Sequence, residues 1–112
     1  MDISAKPIDQ TTVVSIAGSI DALTADEVAN FLSAQIGSGH KHIVGDLSRV
    51  EFMSSAGLRA ILAALKDSRQ QGGDLRLAAA QPGVEKVLKM SGFTSILKTY
   101  SSVDKALASF GS

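Results

Sequence analysis

Apolar residues recur with two different periods along the chain, and the alternation of these periods predicts an α/β fold. The β-branched run at 11–17, which ends at Gly18, predicts a strand, and a shorter strand at 3–5 pairs with it through a turn near 7–10. Further apolar runs predict strands at 41–47, 75–80 and 96–100. The predicted order is β-β-α-β-α-β-α-β-α, which implies a mixed, mainly parallel central sheet flanked by helices.

Four helices are predicted from apolar residues spaced three and four positions apart. Thr24 to Glu27 form a capping-box pattern at the first helix, with Leu23 and Val28 placed as a hydrophobic staple around it. The four apolar stripes are Val28, Phe31, Leu32 and Ile36; Leu58, Ile61, Leu62 and Leu65; Val84, Val87 and Leu88; and Val103, Leu107 and Phe110.

Composition adds limits on function. The chain has 112 residues, 45% of them hydrophobic and 20% charged, which predicts one folded domain over 1–112. A formal net charge of zero gives no electrostatic reason to bind nucleic acid or an anionic membrane. The first residues lack the features of a signal peptide, and no apolar run approaches the ~20 residues of a membrane span. We therefore expect a soluble, cytoplasmic protein without membrane insertion.

Two adjacent serines stand where the strand at 41–47 gives way to the second helix. Free N–H groups at a helix N-terminus favour anions, including phosphate. One serine is enough to cap the helix through its side-chain oxygen. If Ser54 is the cap, Ser55 lies in the first turn with an available hydroxyl, and Gly57 lets another backbone or a phosphate approach closely. The pattern alone leaves open a plain helix cap and a phosphate acceptor.

The outer face of the second helix carries small residues. Ala56, Arg59, Ala60, Ala63 and Lys66 lie between the core leucines. The alanines predict either a flat, mildly apolar surface for a partner or simply a high helix propensity. Arg59 either assists docking, holds a phosphate, or is a solvated charge.

Asp21 and Asp46 follow apolar strand runs, at the sheet edge where open α/β folds bind ligands and partners. Each could contact a metal-bearing nucleotide of a partner or order a loop. Turn chemistry is the simpler account, because an aspartate side chain accepts bonds from nearby backbone N–H groups, such as those of 47–49 after Asp46.

Catalytic and metal sites are not favoured. The absence of cysteine excludes Cys-ligated zinc and a thiol nucleophile. His40 and His42 stand at the start of a strand, at the opposite sheet edge from the serines, so neither is placed to act as a base for them. The two histidines also lack a third metal ligand. We expect no catalytic residue, no metal and no cofactor.

Several short motifs stand at intervals along the chain: Gly18-Ser19-Ile20-Asp21 with Thr24-Ala25, Asp46-Leu47-Ser48, Phe52-Met53, Ser55-Ala56-Gly57-Leu58, Leu77-Ala78, and Val87-Leu88 with Gly92-Phe93. Together they resemble a STAS domain of the anti-sigma factor antagonist type. The resemblance covers essentially the whole chain, and its most specific part is the central Phe-Met-x-Ser-x-Gly-Leu pattern.

The resemblance implies a bacterial partner-switching regulator that is a substrate and a binding module rather than an enzyme. In such systems the unphosphorylated antagonist binds a GHKL-type serine kinase that is also an anti-sigma factor, and this releases the kinase's client. The kinase phosphorylates a serine of the antagonist and so ends binding, and a PP2C-type phosphatase reverses the modification. An alternative use of the fold is as a subunit of a membrane transporter complex that docks on an ATPase.

One position departs from the usual Asp-Ser-Ser/Thr-Gly pattern of these proteins. Ser54 stands where aspartate is expected, and Ala56 occupies the second hydroxyl position. The resemblance therefore assigns phosphorylation to Ser55, with Ser54 as the second choice. Asp46 and Ser48 are predicted to support the serine-bearing loop. The predicted partner-binding residues are Asp21, Ser54, Ala56, Gly57, Arg59, Ala60 and Ala63.

Overall fold

The computed structural model describes residues 1–111, which form a five-stranded sheet with four α-helices. The strands are β1 (Asp2–Ile8), β2 (Thr11–Ile20), β3 (His42–Met53), β4 (Asp74–Ala78) and β5 (Thr99–Tyr100). The helices are α1 (Ala25–Gly37), α2 (Ser55–Gln70), α3 (Pro82–Met90) and α4 (Val103–Ser109), with a short 3-10 helix at Phe93–Ser95. The predicted order of strands and α-helices is confirmed.

The strands lie in the sheet in chain order, from β1 to β5. β1 pairs antiparallel with β2 through a tight turn, and every other neighbouring pair is parallel. Parallel neighbours require a crossover, and α1, α2 and α3 supply the three crossovers. The predicted mixed, mainly parallel sheet is therefore confirmed.

Consecutive residues of the central strands serve opposite faces of the sheet. Val14 belongs to the larger core, which is filled by side chains of α1, α2 and α3, whereas its neighbour Val13 packs with Val44 and with Ala106 of α4. Burying each such side chain contributes about 1.5 to 3 kcal/mol. Because both faces are covered, the strands are apolar runs rather than alternating patterns.

β2 and β3 run further than the sequence predicts. β2 passes through Gly18, and the two strands stay paired through Ala17–Arg49, Gly18–Val50, Ser19–Phe52 and Ile20–Met53. The register shifts twice along this pair, and Gly18 has a φ of 112°, a conformation that favours glycine. We call residues 17–20 and 49–53 the β2–β3 extension. Because β4 ends at Ala78, opposite Asp46, the β3 half of the extension has no third strand beside it on that side.

Two shorter strands also differ from expectation. The predicted strand at 96–100 is reduced to Thr99–Tyr100, because the chain before it forms the 3-10 helix and a loop. The predicted strand at 75–80 ends at Ala78, since Ala79 adopts a φ of 58°. Within residues 1–111, none of the helices has the length and apolar character that a bilayer crossing requires.

Candidate functional site

The two serines lie at the tip of the β2–β3 extension, where β3 passes into α2. The N–H of Ser54 donates to the carbonyl oxygen of Ile20 over 2.8 Å, which fixes the start of α2 to the end of β2. Ser54 itself is extended, with φ −89° and ψ 174°, and its Oγ accepts a bond from the N–H of Gly57 at 3.3 Å. The N-cap role predicted for Ser54 is confirmed.

Ser55 is the first residue of α2 and is exposed. Its hydroxyl takes part in none of the side-chain hydrogen bonds formed within residues 1–111. The helices α1, α3 and α4 each carry an acidic residue in the first turn, but α2 carries none. The positive end of the α2 dipole is therefore not balanced by a carboxylate of its own helix.

Gly57 is buried and seats the first turn of α2 against β2. A Cβ at this position would stand 2.8 Å from Cγ2 of Ile20, 3.1 Å from the carbonyl oxygen of Ile20 and 3.1 Å from Cγ of Met53. The predicted close approach of another backbone is thus confirmed. Ile20 and Met53 cover Gly57 in the unbound protein, and its contact with a partner stays a prediction.

Asp21 organises the loop between β2 and α1. Its Oδ1 accepts bonds from the N–H of Leu23 at 2.9 Å and from the N–H of Thr24 at 3.2 Å. The hydroxyl of Thr24 donates to the carbonyl oxygen of Ser19 at 2.8 Å. Turn chemistry at Asp21 is therefore confirmed. Since these bonds use Oδ1, they fix the carboxylate while Oδ2 accepts none of the hydrogen bonds within residues 1–111.

The capping box and staple predicted for α1 are wrong. Thr24 occupies the N-cap position, but its side chain forms no cap bond, because its hydroxyl bonds Ser19 and the N–H of Asp21 instead. The supposed staple residue Leu23 is 92% exposed. The local sequence pattern could not show that the Thr24 hydroxyl is used elsewhere, because its partners Ser19 and Asp21 lie before the helix.

A second large apolar side chain lies exposed at the same end of the sheet. Phe52 is 53% exposed and is paired with Ser19, one residue from the Ile20–Ser54 hydrogen bond. We call Leu23 and Phe52 the apolar rim. Sequence reasoning missed both residues as site residues. Their sequence positions held a signal of exposure: Leu23 stands in a predicted turn, and Phe52 stands between Glu51 and the Met53-Ser54-Ser55 segment.

The alanine-bearing face of α2 is only partly a surface. Arg59 and Ala63 are exposed and Ala56 is half-buried, as a docking face requires. Ala60, in contrast, is 8% exposed, because α2 packs beside α1 and Ala60 lines the groove of about 280 Å³ between these helices. Ala60 is therefore the most covered of the predicted partner residues on this face, and its contact with a partner stays a prediction.

Asp46 and Ser48 lie well before the serines in β3. Asp46 does not end its strand, as the sequence suggested, but pairs with Ser15 and Ala78 inside the sheet. Its Oδ1 accepts a bond from the N–H of Ser48 at 3.0 Å, so its turn chemistry is confirmed. The carbonyl oxygen of Ser48 accepts a bond from Nε2 of Gln81 at 2.9 Å. These bonds shape the point where β3 leaves β4, rather than the serine-bearing loop.

The histidines lie at the far end of β3 from the serines. His42 begins this 12-residue strand, and its ring packs edge-on against Phe110 with 5.5 Å between centroids. The arrangement therefore brings neither His40 nor His42 to Ser54 or Ser55. Among residues 1–111, no group of three His, Cys, Asp or Glu side chains is placed to hold a metal ion.

The chain is a small α/β domain, with a five-stranded sheet that is antiparallel at one edge and a serine N-cap that opens its second helix. The STAS domain family model matches residues 2–106, and the chain belongs to this family. The resemblance seen in the sequence is thus confirmed.

Relatives and a solved structure agree with this assignment. BtrV of Bordetella bronchiseptica, whose name describes a candidate anti-sigma factor antagonist, is 34% identical over 110 residues, covering 98% of this chain and 95% of BtrV. The anti-sigma F factor antagonist of Paenibacillus polymyxa is 33% identical over 96 residues, covering 85% and 82% of the two chains. The crystal structure of an anti-sigma factor antagonist from Mycobacterium paratuberculosis matches with a TM-score of 0.89 and 27% identity, covering 96% and 92%.

Proposed function

We propose that this protein is an anti-sigma factor antagonist that acts by partner switching. In its unphosphorylated form it binds a GHKL-type serine kinase that is also an anti-sigma factor, and this binding releases the kinase's client. The kinase phosphorylates Ser55, which ends binding, and a PP2C-type phosphatase restores the binding form. The names of the two curated relatives support the general role.

The observation that carries the proposal is the division of labour between the two serine hydroxyls. The hydroxyl of Ser54 is held as the cap of α2, whereas the hydroxyl of Ser55 is exposed and unbonded within residues 1–111. A kinase needs a hydroxyl that can enter its active site, and phosphorylation of Ser54 would have to break the cap. Ser55 is therefore the phosphate acceptor.

The surroundings of Ser55 explain how one phosphate acts on binding and not on folding. At neutral pH a phosphoserine carries about −1.5 to −2 charges, which the start of α2 favours because its first turn holds no carboxylate. The folded chain therefore accepts the modification without rearrangement. The cost appears in the complex, where the phosphate would be desolvated against the partner.

The size of the effect suits a switch. A coupling of ~3 kcal/mol between phosphorylation and binding weakens the complex more than a hundredfold. The exposed parts of the docking surface are Ser55, the apolar rim, Arg59 and Ala63, with Asp21 and Ala56 half-buried beside them. The protein contributes no catalytic group; it is a substrate and a binding module that works in the cytoplasm, where its kinase holds ATP.

The experiment compares Ser55→Ala with Ser54→Ala, a matched pair that removes one hydroxyl each. Both variants and the parent protein are incubated with the cognate kinase and ATP, and intact mass and complex formation are measured. We expect parent and Ser54→Ala to gain one phosphate and leave the kinase, and Ser55→Ala to stay unmodified and bound. Phosphorylation of Ser55→Ala to the level of the parent would overturn the site. A complex that persists with unmodified parent protein and ATP would favour permanent docking on an ATPase.

A further inference from the structure

We infer that Arg59 is the intramolecular counter-ion of the phosphate on Ser55, an inference that rests on the proposed function. Arg59 follows Ser55 by four residues in α2, and both residues are exposed. Residues four apart are neighbours on one helix face, about 5 to 6 Å apart between Cβ atoms. Helix side chains lean towards the N-terminus, so the guanidinium of Arg59 is within reach of the turn that carries Ser55.

Within residues 1–111, no carboxylate is paired with Arg59. Arg59 takes part in none of the salt bridges or side-chain hydrogen bonds formed within residues 1–111, whereas Arg69 and Arg76 are both bonded to Asp74. The first turn of α2 offers no carboxylate either. An anion placed before a cation at this spacing has the favourable orientation along the helix. The planar guanidinium can also donate two parallel hydrogen bonds to one phosphate.

This pairing changes the docking surface twice with one modification. Phosphorylation adds a bulky anion at Ser55, and it also draws the guanidinium of Arg59 back over the first turn of α2. A partner that meets a free cation at Arg59 in the unmodified protein then meets a bonded ion pair with net negative charge. The docking surface thus loses the free guanidinium of Arg59 as a hydrogen-bond donor when it gains the negative charge of the phosphate.

The test places phosphoserine at position 55 during translation, so that it does not depend on the kinase. Phosphorus NMR then measures the second pKa of the phosphate in the parent, Arg59→Gln, Arg59→Lys and Lys66→Gln proteins. Lys66→Gln is the matched control, because Lys66 is also exposed and loses the same charge about 16 Å along α2 from Ser55. We expect Arg59→Gln to raise the phosphate pKa by about 0.3 pH units. Arg59→Lys should recover most of that shift, and Lys66→Gln should give little.

Equal shifts in Arg59→Gln and Lys66→Gln would overturn the inference, because they would reflect net charge and not a local pair. An unchanged pKa in Arg59→Gln would overturn it as well. Failure of the proposed function is a separate result, read from the intact mass after incubation with kinase. It leaves the NMR comparison on phosphoserine 55 valid.

Discussion

Gly57 lies so close to Ile20 that a Cβ at position 57 would stand 2.8 Å from Cγ2 of Ile20. The carbonyl oxygen of the same isoleucine accepts the N–H of Ser54 at 2.8 Å. Ile20 is also the last residue before Asp21, which organises the β2–α1 loop. Ile20 therefore links the start of α2 directly to the loop that bears Asp21 and Leu23.

Replacement of Gly57 by alanine tests how tightly α2 is seated against β2. The added methyl group overpacks the contact at a cost of about 1 to 3 kcal/mol, while the gain in helix propensity is at most about 1 kcal/mol. We expect Gly57→Ala to lower the free energy of unfolding by about 1 kcal/mol in chemical denaturation. Gly83→Ala in α3 is the control, because nothing lies within 4 Å of its added Cβ. It should be neutral or slightly stabilising, and equal losses in both variants would refute the tight seat.

The apolar rim should matter for binding and not for folding. Because Leu23 is 92% exposed, Leu23→Ser should leave the thermal unfolding midpoint within a degree or two of the parent. If Leu23 is an anchor for the partner, its loss should weaken the complex about tenfold. Met90→Ser removes a comparably exposed side chain at the end of α3, a crossover helix that leads back to the opposite sheet edge. Calorimetric titration with the kinase should give Met90→Ser the same affinity as the parent. If Leu23→Ser also binds with the affinity of the parent, Leu23 is not part of the docking surface.

The N-cap of α2 is serine at a position where the family pattern has aspartate, and the stability of variants at Ser54 tests this exchange. Ser54→Ala should cost about 1 kcal/mol of stability, because the N–H of Gly57 loses its acceptor. Ser54→Asp keeps an acceptor and adds a negative charge at the positive end of the helix, so it should match or exceed the parent by a few tenths of a kcal/mol at pH 7. Denaturation of the three proteins measures this, and an Asp variant no more stable than the Ala variant would contradict the cap.

Asp74 supplies a pH-dependent part of the stability. Partial burial raises the pKa of Asp74, but hydrogen bonds from Arg76 and Arg69, with their positive charges, outweigh it and hold the pKa below its ordinary value. The bonds are 2.9 Å to Nε of Arg76, which lies in β4 like Asp74 itself, and 3.0 Å to Nε of Arg69, which joins α2 to β4. Because the folded pKa is the lower one, this stabilisation is complete above the unfolded value near 3.9 and disappears as the pH falls through the folded value.

Asp74→Asn should therefore cost about 1 to 2 kcal/mol at pH 7, after allowance for the exposure of Arg69. The difference from the parent protein should shrink as the pH is lowered below about 4. Asp2→Asn is the control and should change little, because Asp2 is exposed and takes part in none of the salt bridges among residues 1–111. A difference between Asp74→Asn and the parent that stays constant from pH 7 to pH 3 would show that the carboxylate charge is not responsible.

Local patterns predicted the elements well wherever a helix or a strand has its own hydrophobic period. They failed where a distant segment decides. The charged residues Arg49 and Glu51 interrupt the apolar run from which β3 is predicted. The strand continues there because it pairs with β2, and not because it is buried on both faces. Ala60 and its neighbours look alike in sequence, and only the packing of α1 on α2 shows which of them is covered.

The same distinction applies to the site. The cap at Ser54 follows from short-range helix chemistry, which the sequence contains, whereas the structure is needed to show that Ser55 is the exposed serine. The apolar rim does not, because it depends on the turn of Asp21 and on the pairing of Ser19 with Phe52. Two predicted partner residues, Gly57 and Ala60, and the two predicted loop-support residues, Asp46 and Ser48, have structural roles that short motifs cannot separate from binding.

The β2–β3 extension has a consequence for how proteins of this kind can diverge. Beyond Asp46 the third strand is no longer bonded to β4, so exposed side chains such as Phe52 can change without disturbing β4, β5 or the helices packed on them. On the proposed function, partner choice would rest on the exposed side chains of this tip, while Ser54 and Gly57 beside them fix the start of α2. A cell that contains several such regulators could then keep their circuits apart by a few substitutions at exposed positions, while each copy keeps the same core.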